Sequence, residues 1–272
     1  MEWFDTHAHL YAEDFGSEQA ELVKRAEAAS VTRIVTQGVN EETNRLTIQY
    51  AEKFPTVFAA VGWQPTDLDL LKGATELSAA QLAELKEQAL HPKTVAIGEI
   101  GLDYFRLPRR ETERTEAIKI QQRNVFRQQL ELAAELDLPC CIHQRGEGTL
   151  QDCLEILRPF TGKLRAVFHC FVGSEEDART FFELGHIISI TGIVTFKKAE
   201  ELRETLRLLP SEKMMVETDS PYLAPEPFFR RRCEPAYVVH TGARLAGILG
   251  ISPEEFARQT CYTARKFFKK LT

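Results

Sequence analysis

The stretch FDTHAHL, residues 4–10, places two histidines two positions apart between small and apolar residues. This composition predicts a short buried strand, in which side chains two positions apart lie on the same face. His7 and His9 therefore point the same way, with Asp5 below them on that face. Two neutral imidazoles at a strand end can bind one divalent ion. A lone His-x-His pair is common by chance, and alone it favours one hydrogen-bonded core histidine and one exposed histidine.

The composition is that of a soluble globular protein. A chain of 272 residues can form two small domains or one (β/α) barrel. The net charge of −6 provides no general basic surface, so binding of nucleic acid would need a local basic patch or bound metal ions. No apolar run approaches the roughly 20 residues that span a membrane, and no secretory signal precedes the first strand. Six scattered cysteines without a CxxC pair indicate reduced thiols and a cytoplasmic location.

Short apolar runs alternate with amphipathic, charged stretches along the whole chain. The apolar runs predict strands at residues 4–10, 33–36, 57–62, 95–99, 138–143, 166–169, 187–190 and 214–219. Helices are predicted between them, with N-caps at Ser17, Asn40, Ser78 and Ser174, and two more follow the last strand, one of them capped by Ser252 with Glu255 completing a capping box.

Eight strands separated by helices must run parallel, and that number closes a TIM-type barrel. We therefore expect an α/β protein, a single (β/α)8 barrel domain over residues 1–272 with extra C-terminal helices. A doubly wound open sheet is the alternative. It usually carries a glycine-rich phosphate turn after its first strand, whereas the nearest match here, Gly98-Glu99-Ile100-Gly101, follows the fourth strand and lacks the rest of the fingerprint.

Polar residues collect at the carboxyl ends of the predicted strands, which in a barrel form one ring around one mouth. These residues are His7 and His9 on the first strand, Glu99 on the fourth, His143 on the fifth, His169 on the sixth and Asp219 on the eighth. Any one of them alone would be an ordinary polar group at a strand end. Five strands repeating the choice indicate a metal cluster.

Four imidazoles and two carboxylates are too many ligands for one tetrahedral ion, but they suit two divalent ions bridged by a carboxylate. Glu99 is the predicted bridge. His7, His9 and Asp219 would hold the more buried ion, and His143 and His169 the second. Histidine ligands favour Zn, Mn, Ni or Fe, whereas nuclease chemistry often uses Mg, so Mg, Mn and Zn all stay open.

Two divalent ions lower the pKa of bound water and neutralise oxyanion charge, which predicts a hydrolase. Asp219 can touch both metal and water and is the candidate general base, and Glu99 is the second candidate catalytic residue. Glu217 lies two residues earlier on the same face, and Asp5 lies deeper in the first strand. We expect both to support the ligands without binding the ions.

The loops after the strands predict an anionic substrate. Arg106, Arg109 and Arg110 follow the fourth strand, Arg145 follows His143, and Arg230, Arg231 and Arg232 follow the eighth strand. Such arginines bind phosphates, although each could equally be a solvated surface residue. Phe105, Tyr222, Phe228 and Phe229 interleave with them and could stack on bases.

The chain resembles the TatD family of metal-dependent deoxyribonucleases. The motifs that carry the resemblance are DTHAH (5–9), GEIGLDY (98–104), LP (138–139) leading to His143, HCF (169–171), ETDSPYL (217–223) and EPAYV (234–238). They run in family order over essentially the whole chain. The resemblance implies a TIM-type barrel, two divalent ions and hydrolysis of DNA phosphodiesters, often from the 3′ end, and the six ligands above coincide with the family's metal residues.

Three segments depart from the family pattern. The family usually has Gly-x-His-Pro where this chain has Gly62-Trp63-Gln64-Pro65, Ser-Arg-Asp where it has Gln144-Arg145-Gly146, and Asn where it has Cys233. None removes a metal ligand, and we expect all three at the substrate rim, with Gln64 able to donate a hydrogen bond to a phosphate. The resemblance and the arginines of the loops make DNA the expected substrate, as a single strand or a 3′ end. A hydrolase of a cyclic amide, lactone or small phosphoester is the alternative, and a binding barrel without activity is a third possibility.

Overall fold

The computed structural model describes residues 1–108 and 112–271. Its strands are β1 (Trp3–Ala8), β2 (Val31–Gln37), β3 (Val57–Val61), β4 (Thr94–Asp103), β5 (Cys140–Arg145), β6 (Ala166–Phe168), β7 (Ile187–Ile190) and β8 (Met214–Val216). Its α-helices are α1 (Gln19–Ala28), α2 (Glu41–Lys53), α3 (Ala79–Leu90), α4 (Thr112–Glu135), α5 (Thr149–Leu157), α6 (Glu175–Glu183), α7 (Glu200–Arg207), α8 (Val238–Leu249) and α9 (Pro253–Phe267).

The strands pair in parallel in the order β1 to β8, and the segment after β8 returns to β1 through a parallel bridge between Ala8 and Ser220. The backbone N–H of Asp219 donates to the carbonyl of His7 at 2.9 Å, and the N–H of His9 donates to the carbonyl of Ser220 at 2.8 Å. These two bonds close the ring beside the predicted metal ligands. The prediction of a TIM-type barrel with extra C-terminal helices is therefore confirmed, and the open-sheet alternative is wrong.

Several predicted strand ends were wrong, most of them at the carboxyl ends, while β2 begins two residues earlier and β5 two residues later than predicted. The fourth strand continues to Asp103, four residues beyond Glu99, because it stays paired with β5 after a register shift. The first strand ends at Ala8 and the eighth at Val216. Asp219 has φ +56°, a left-handed conformation that no strand contains and that Asp tolerates better than most residues.

The predicted helix caps are mostly confirmed. Asn40, Ser78 and Ser174 each accept a hydrogen bond from the third residue of the following helix. Ser17 is not a cap, because α1 begins at Gln19 without a side-chain cap. Ser252 caps α9, but the carboxylate of Glu255 bonds to Arg258 instead of completing a capping box.

The C-terminal segment closes the amino-terminal end of the barrel. Phe267, Phe268 and Leu271 pack against Phe4 and Phe58 and other side chains that point into the barrel. Their burial seals this end with apolar side chains, so the polar mouth lies at the opposite end. Among the described residues, no helix combines the length and apolar character needed to cross a membrane.

This packing generates a prediction about stability. Phe268 is fully buried in the seal, whereas Tyr262 on α9 is 66% exposed. Phe268→Ala should lower the free energy of unfolding by about 3–5 kcal/mol, because it leaves a cavity in a packed core. Tyr262→Ala should change it by about 0.5 kcal/mol or less. Urea unfolding followed by circular dichroism measures both, and equal effects would show that the seal does not stabilise the barrel.

Candidate metal centre

Glu99 lies in the middle of the mouth, and its two carboxylate oxygens face two different pairs of histidines. Oε2 lies 3.5 Å from His7 Nε2 and 3.6 Å from His9 Nε2. Oε1 lies 2.8 Å from His143 Nδ1 and 3.2 Å from His169 Nε2. This division is the geometry that a carboxylate needs to give one oxygen to each of two ions.

The first group of donors has the spacing of a tetrahedral site. His7 Nε2 and His9 Nε2 are 3.3 Å apart, and Asp219 Oδ1 lies 3.7 Å and 3.3 Å from them. Ligands at about 2.0–2.1 Å from a tetrahedral ion lie roughly 3.3 Å from one another. His7, His9 and Glu99 Oε2 can therefore surround one ion, and Asp219 Oδ1 lies close enough to both imidazoles to be a further ligand.

The second group consists of His143, His169 and Glu99 Oε1. His143 Nδ1 and His169 Nε2 are 3.1 Å apart, so the three donor atoms surround one position. Three protein ligands leave a coordination position open, which is typical of a catalytic site. The rings of His7 and His169 stack at 4.0 Å, so the two groups adjoin. The structure thus brings together all six predicted ligands.

Asp103, for which the sequence predicted no role, lies beside His143. Its Oδ2 lies 3.1 Å from His143 Nε2, while its Oδ1 accepts hydrogen bonds from the backbone N–H groups of Phe105 and Arg106. A carboxylate on Nε2 favours the tautomer that leaves the Nδ1 lone pair free for an ion. The signal was available, since Asp103 lies inside the GEIGLDY motif.

His9 and His169 also have partners on their outer nitrogens. His9 Nδ1 lies 3.0 Å from the Tyr11 hydroxyl and 3.3 Å from the Gln37 carbonyl oxygen. His169 Nδ1 lies 3.5 Å from Glu217, which also accepts hydrogen bonds from the Cys170 backbone and from Ser189. Tyr11 was not identified from the sequence. Glu217 lies where we expected a supporting acid.

Asp5 contacts the eighth-strand segment and does not reach the histidine donor atoms. It is fully buried and accepts hydrogen bonds from the Thr218 backbone N–H at 2.9 Å and the Thr218 hydroxyl at 2.6 Å. Burial raises its pKa to about 8. Asp5 thereby ties the first strand to the segment that carries Asp219.

The charges in the centre stabilise one another. Burial alone would raise the pKa of Glu99, but the surrounding histidines hold it well below its usual value. Burial alone would lower the pKa of His169, but Glu99 and Glu217 outweigh it and raise the pKa well above the usual value. Without metal, protons on the histidines thus supply part of the positive charge that divalent ions would supply.

The predicted substrate residues lie around this mouth, and they differ in exposure and in whether other side chains bind them. The Arg145 guanidinium lies 4.2 Å from the centre of the Phe105 ring, which is 52% exposed. Arg230 similarly lies 5.4 Å from the Phe229 ring. Tyr222 is exposed, with its ring 6.3 Å from that of His9. In the described part of the chain, none of the arginines 106, 145 and 230 forms an ion pair with a carboxylate.

Some predicted rim residues have structural partners instead. Arg232 pairs with Glu18 at 2.8 Å, and Phe228 stacks on Tyr237 at 4.0 Å, so neither is free for substrate in this arrangement. Gln64 is buried, and its carbonyl oxygen accepts from Thr66. Arg109 and Arg110 lie outside the described residues.

Two of the three sequence departures now have a structural account. Cys233 is fully buried, so the expectation that it lies on the substrate rim was wrong. Gly146 has φ +106°, and a Cβ there would lie 2.5 Å from the backbone nitrogen of Phe105. An aspartate is therefore excluded at position 146 while the loop of Phe105 keeps its place.

Comparison with known proteins identifies the family. The family described as "TatD related DNase" matches residues 4–269. The chain belongs to this family. An uncharacterized metal-dependent hydrolase, YabD of Bacillus subtilis, is 36% identical over 98% of both chains. A 3′-5′ ssDNA/RNA exonuclease, TatD of Citrobacter rodentium, is 34% identical over 97% of both chains.

A solved structure agrees with this assignment. The TatD homologue YJJV of Escherichia coli superposes with a TM-score of 0.86 at 26% identity and covers 98% of both chains. Together with the cluster of histidines and carboxylates, membership of the family makes this protein a TatD-family metal-dependent hydrolase.

The contact between Asp103 and His143 can be tested by substitution. Asp103→Asn should lower metal affinity or activity about 10- to 100-fold, because it removes the charge that orients the imidazole. Asp137→Asn, at an exposed position outside the mouth, serves as the matched control and should leave both unchanged. Metal titration measures the affinity of both variants. Equal metal affinities of Asp103→Asn and Asp137→Asn would show that Asp103 does not orient a ligand.

The raised histidine pKa values predict that metal and protons compete. The pKa values of His9, His143 and His169 are raised, so protonation of these imidazoles extends to higher pH and competes with the binding of an ion. Metal affinity should therefore fall as the pH falls, and binding should release protons. Calorimetry at pH 7 should give different heats in PIPES and in Tris. Identical heats would contradict proton release.

Proposed function

We propose that this protein hydrolyses phosphodiester bonds of single-stranded DNA, working from the 3′ end. The observation that carries the proposal is the position of Arg145. It lies two residues beyond the candidate ligand His143, stacks on Phe105, and has no carboxylate partner among the described residues. A cation held beside a centre for two divalent ions provides an anion-binding rim despite the net charge of −6.

Glu99 and Asp219 would hold the ions together with the four histidines. When bound, the ions would lower the pKa of water and offset the negative charge that develops on the phosphate. Burial alone would raise the pKa of Asp219, but His9, His7 and His169 outweigh it and lower the pKa. Asp219 is thus ionised at neutral pH, and its side chain is 14% exposed, so it can accept a proton from water as general base.

The shape of the mouth favours a single strand. His7 and Glu99 are almost entirely buried at its base. A phosphodiester inside a stiff duplex cannot reach such a depth, whereas a strand end can enter, and enzymes acting at depth use single-stranded or extruded nucleotides. Exposed Tyr222 offers a stacking face beside His9, and Arg106 and Arg230 are further candidate contacts for phosphates.

RNA is included among possible substrates because the relative from Citrobacter rodentium carries the description ssDNA/RNA exonuclease. A hydrolase of a small cyclic amide, lactone or phosphoester remains the alternative. Gln64 motivates it, since the carbonyl oxygen of this residue is committed to Thr66 and the side chain carries no charge.

The proposed setting is the cytoplasm, and the proposed organisation is one domain over residues 1–272. All six cysteines are free, which fits a reducing compartment. DNA is the proposed partner, and no obligate protein partner is inferred.

The general-base role predicts a specific loss of activity. Asp219→Asn should reduce cleavage of a 3′-labelled single strand by at least about 100-fold, because it removes both a ligand and the proton acceptor. The assay uses purified protein loaded with Mg, Mn or Zn, together with a panel of lactones, cyclic amides and phosphoesters. If wild type does not cleave the single strand but hydrolyses a small ester of the panel, the alternative function replaces the proposed one.

Arg145 supplies a second test, directed at substrate binding. Arg145→Ala should raise KM for a single strand about 5- to 100-fold with less effect on kcat, because it removes a phosphate contact. Arg258→Ala, an exposed arginine on α9, is the control and should behave as wild type. An unchanged KM in Arg145→Ala would remove Arg145 from the binding site.

A further inference from the structure

We propose that a groove beside the metal centre binds one nucleobase of the single strand, upstream of the bond being cleaved. This inference rests on the proposed nuclease function and specifies a substrate contact for it. The groove lies between the loop that follows β6 and the loop that follows β7, on the mouth side of the barrel. It has a volume of about 410 Å³ and is lined mainly by Val172, Ser174, Ile193, Phe196, Lys198 and Leu202.

The groove begins next to the candidate metal ligands. Val172 is three residues beyond His169, a separation that spans at most about 10 Å of chain. The two loops meet at their start, where Cys170 Sγ lies 3.6 Å from Thr191 Oγ1. A strand whose end lies at the centre therefore passes the groove with a neighbouring nucleotide.

The lining has the chemistry of a base-stacking site. Val172 is 60% exposed, and Ile193, Phe196 and Leu202 provide apolar surface of a size that suits a small planar group. Every base has a π-face, so stacking on an aromatic ring binds single strands with little sequence preference. Glu201 also lines the groove and can accept a hydrogen bond from an exocyclic amino group.

Cations lie along the edge of this groove. Lys197 and Lys198 are exposed, and neither forms an ion pair within residues 1–108 and 112–271. Phe196 contacts the Phe229 ring at 4.8 Å, and Arg230 lies over Phe229. Aromatic and cationic side chains therefore continue from the groove to the loop after β8. Lys197, Lys198 and Arg230 can therefore contact the phosphates of a nucleic acid strand, although the lining itself holds both Lys198 and the acidic Glu201.

The loop that carries Phe196 is held in place before any substrate arrives. Arg203 is almost fully buried, and its guanidinium donates to the carbonyl oxygens of Val194 at 3.1 Å and Phe196 at 2.7 Å. Thr195 accepts a hydrogen bond from the backbone N–H of Glu226, which ties the loop to the one after β8. A preformed groove loses little conformational entropy on binding.

The test compares a strand with a substrate too short to reach the groove. Val172→Asp and Phe196→Leu should each raise KM for an eight-nucleotide single strand about fivefold or more, through repulsion of phosphate and loss of stacking. Hydrolysis of thymidine 5′-(p-nitrophenyl phosphate) should be unchanged in both. Leu208→Asp is the matched control, since Leu208 is also 60% exposed but does not line the groove, and it should behave as wild type.

Abasic substitution locates the base. With wild type, removing the base at one position of the strand should raise KM, and in Phe196→Leu removal of that same base should have no further effect. The groove proposal would be overturned if removal of the base raised KM equally in wild type and in Phe196→Leu. It would also be overturned if the substitutions changed KM equally for the strand and for the short substrate, with nuclease activity persisting in both cases. If Val172→Asp changes the sedimentation coefficient but leaves KM for the strand unchanged, the groove is a contact between copies of the chain. That result would also overturn the groove proposal. Absence of strand cleavage by wild type would reject the proposed function itself.

Discussion

A buried carboxylate between four histidines is the constraint on which the site depends. Glu99 is almost fully removed from water, and an isolated charge there would cost several kcal/mol. Each oxygen faces two imidazoles at 2.8–3.6 Å, so the charge is stable only while positive partners surround it. In the metal-free protein, protonation of His9, His143 and His169, whose pKa values are raised, can supply part of that charge, whereas burial lowers the pKa of His7. Two divalent ions would satisfy the same demand with the imidazoles neutral.

Closure of the barrel brings the candidate ligands of its first and last strands together. Asp219 and His7 share a backbone hydrogen bond where the barrel closes, so the segment carrying one candidate ligand is paired with the strand carrying two others. Asp5, deeper in the first strand, supports the same contact by accepting two hydrogen bonds from Thr218. The same contacts that complete the fold therefore set the distances between donor atoms. Substitutions at Asp5 are expected to affect stability and the site together.

The sequence was sufficient to predict the fold and to predict that the six candidate ligands lie together, because both follow from simple periodicity. Strands alternating with helices must be parallel, and polar residues at their carboxyl ends must converge. Asp103 escaped this reasoning because β4 runs four residues past Glu99 after a register shift, which periodicity does not reveal. The contacts of the loop residues were harder to predict. The partners of Phe228 and Arg232 are set by tertiary packing, so their apparent availability in the sequence was misleading.

We propose that Glu99 joins two metal sites, and the number of ions bound per chain tests this proposal. The protein is loaded with Mn or Zn, dialysed, and measured by elemental mass spectrometry against its concentration. We expect two ions per chain in wild type and one or fewer in Glu99→Gln. One ion per chain in wild type at every loading, or two ions retained in Glu99→Gln, would contradict it.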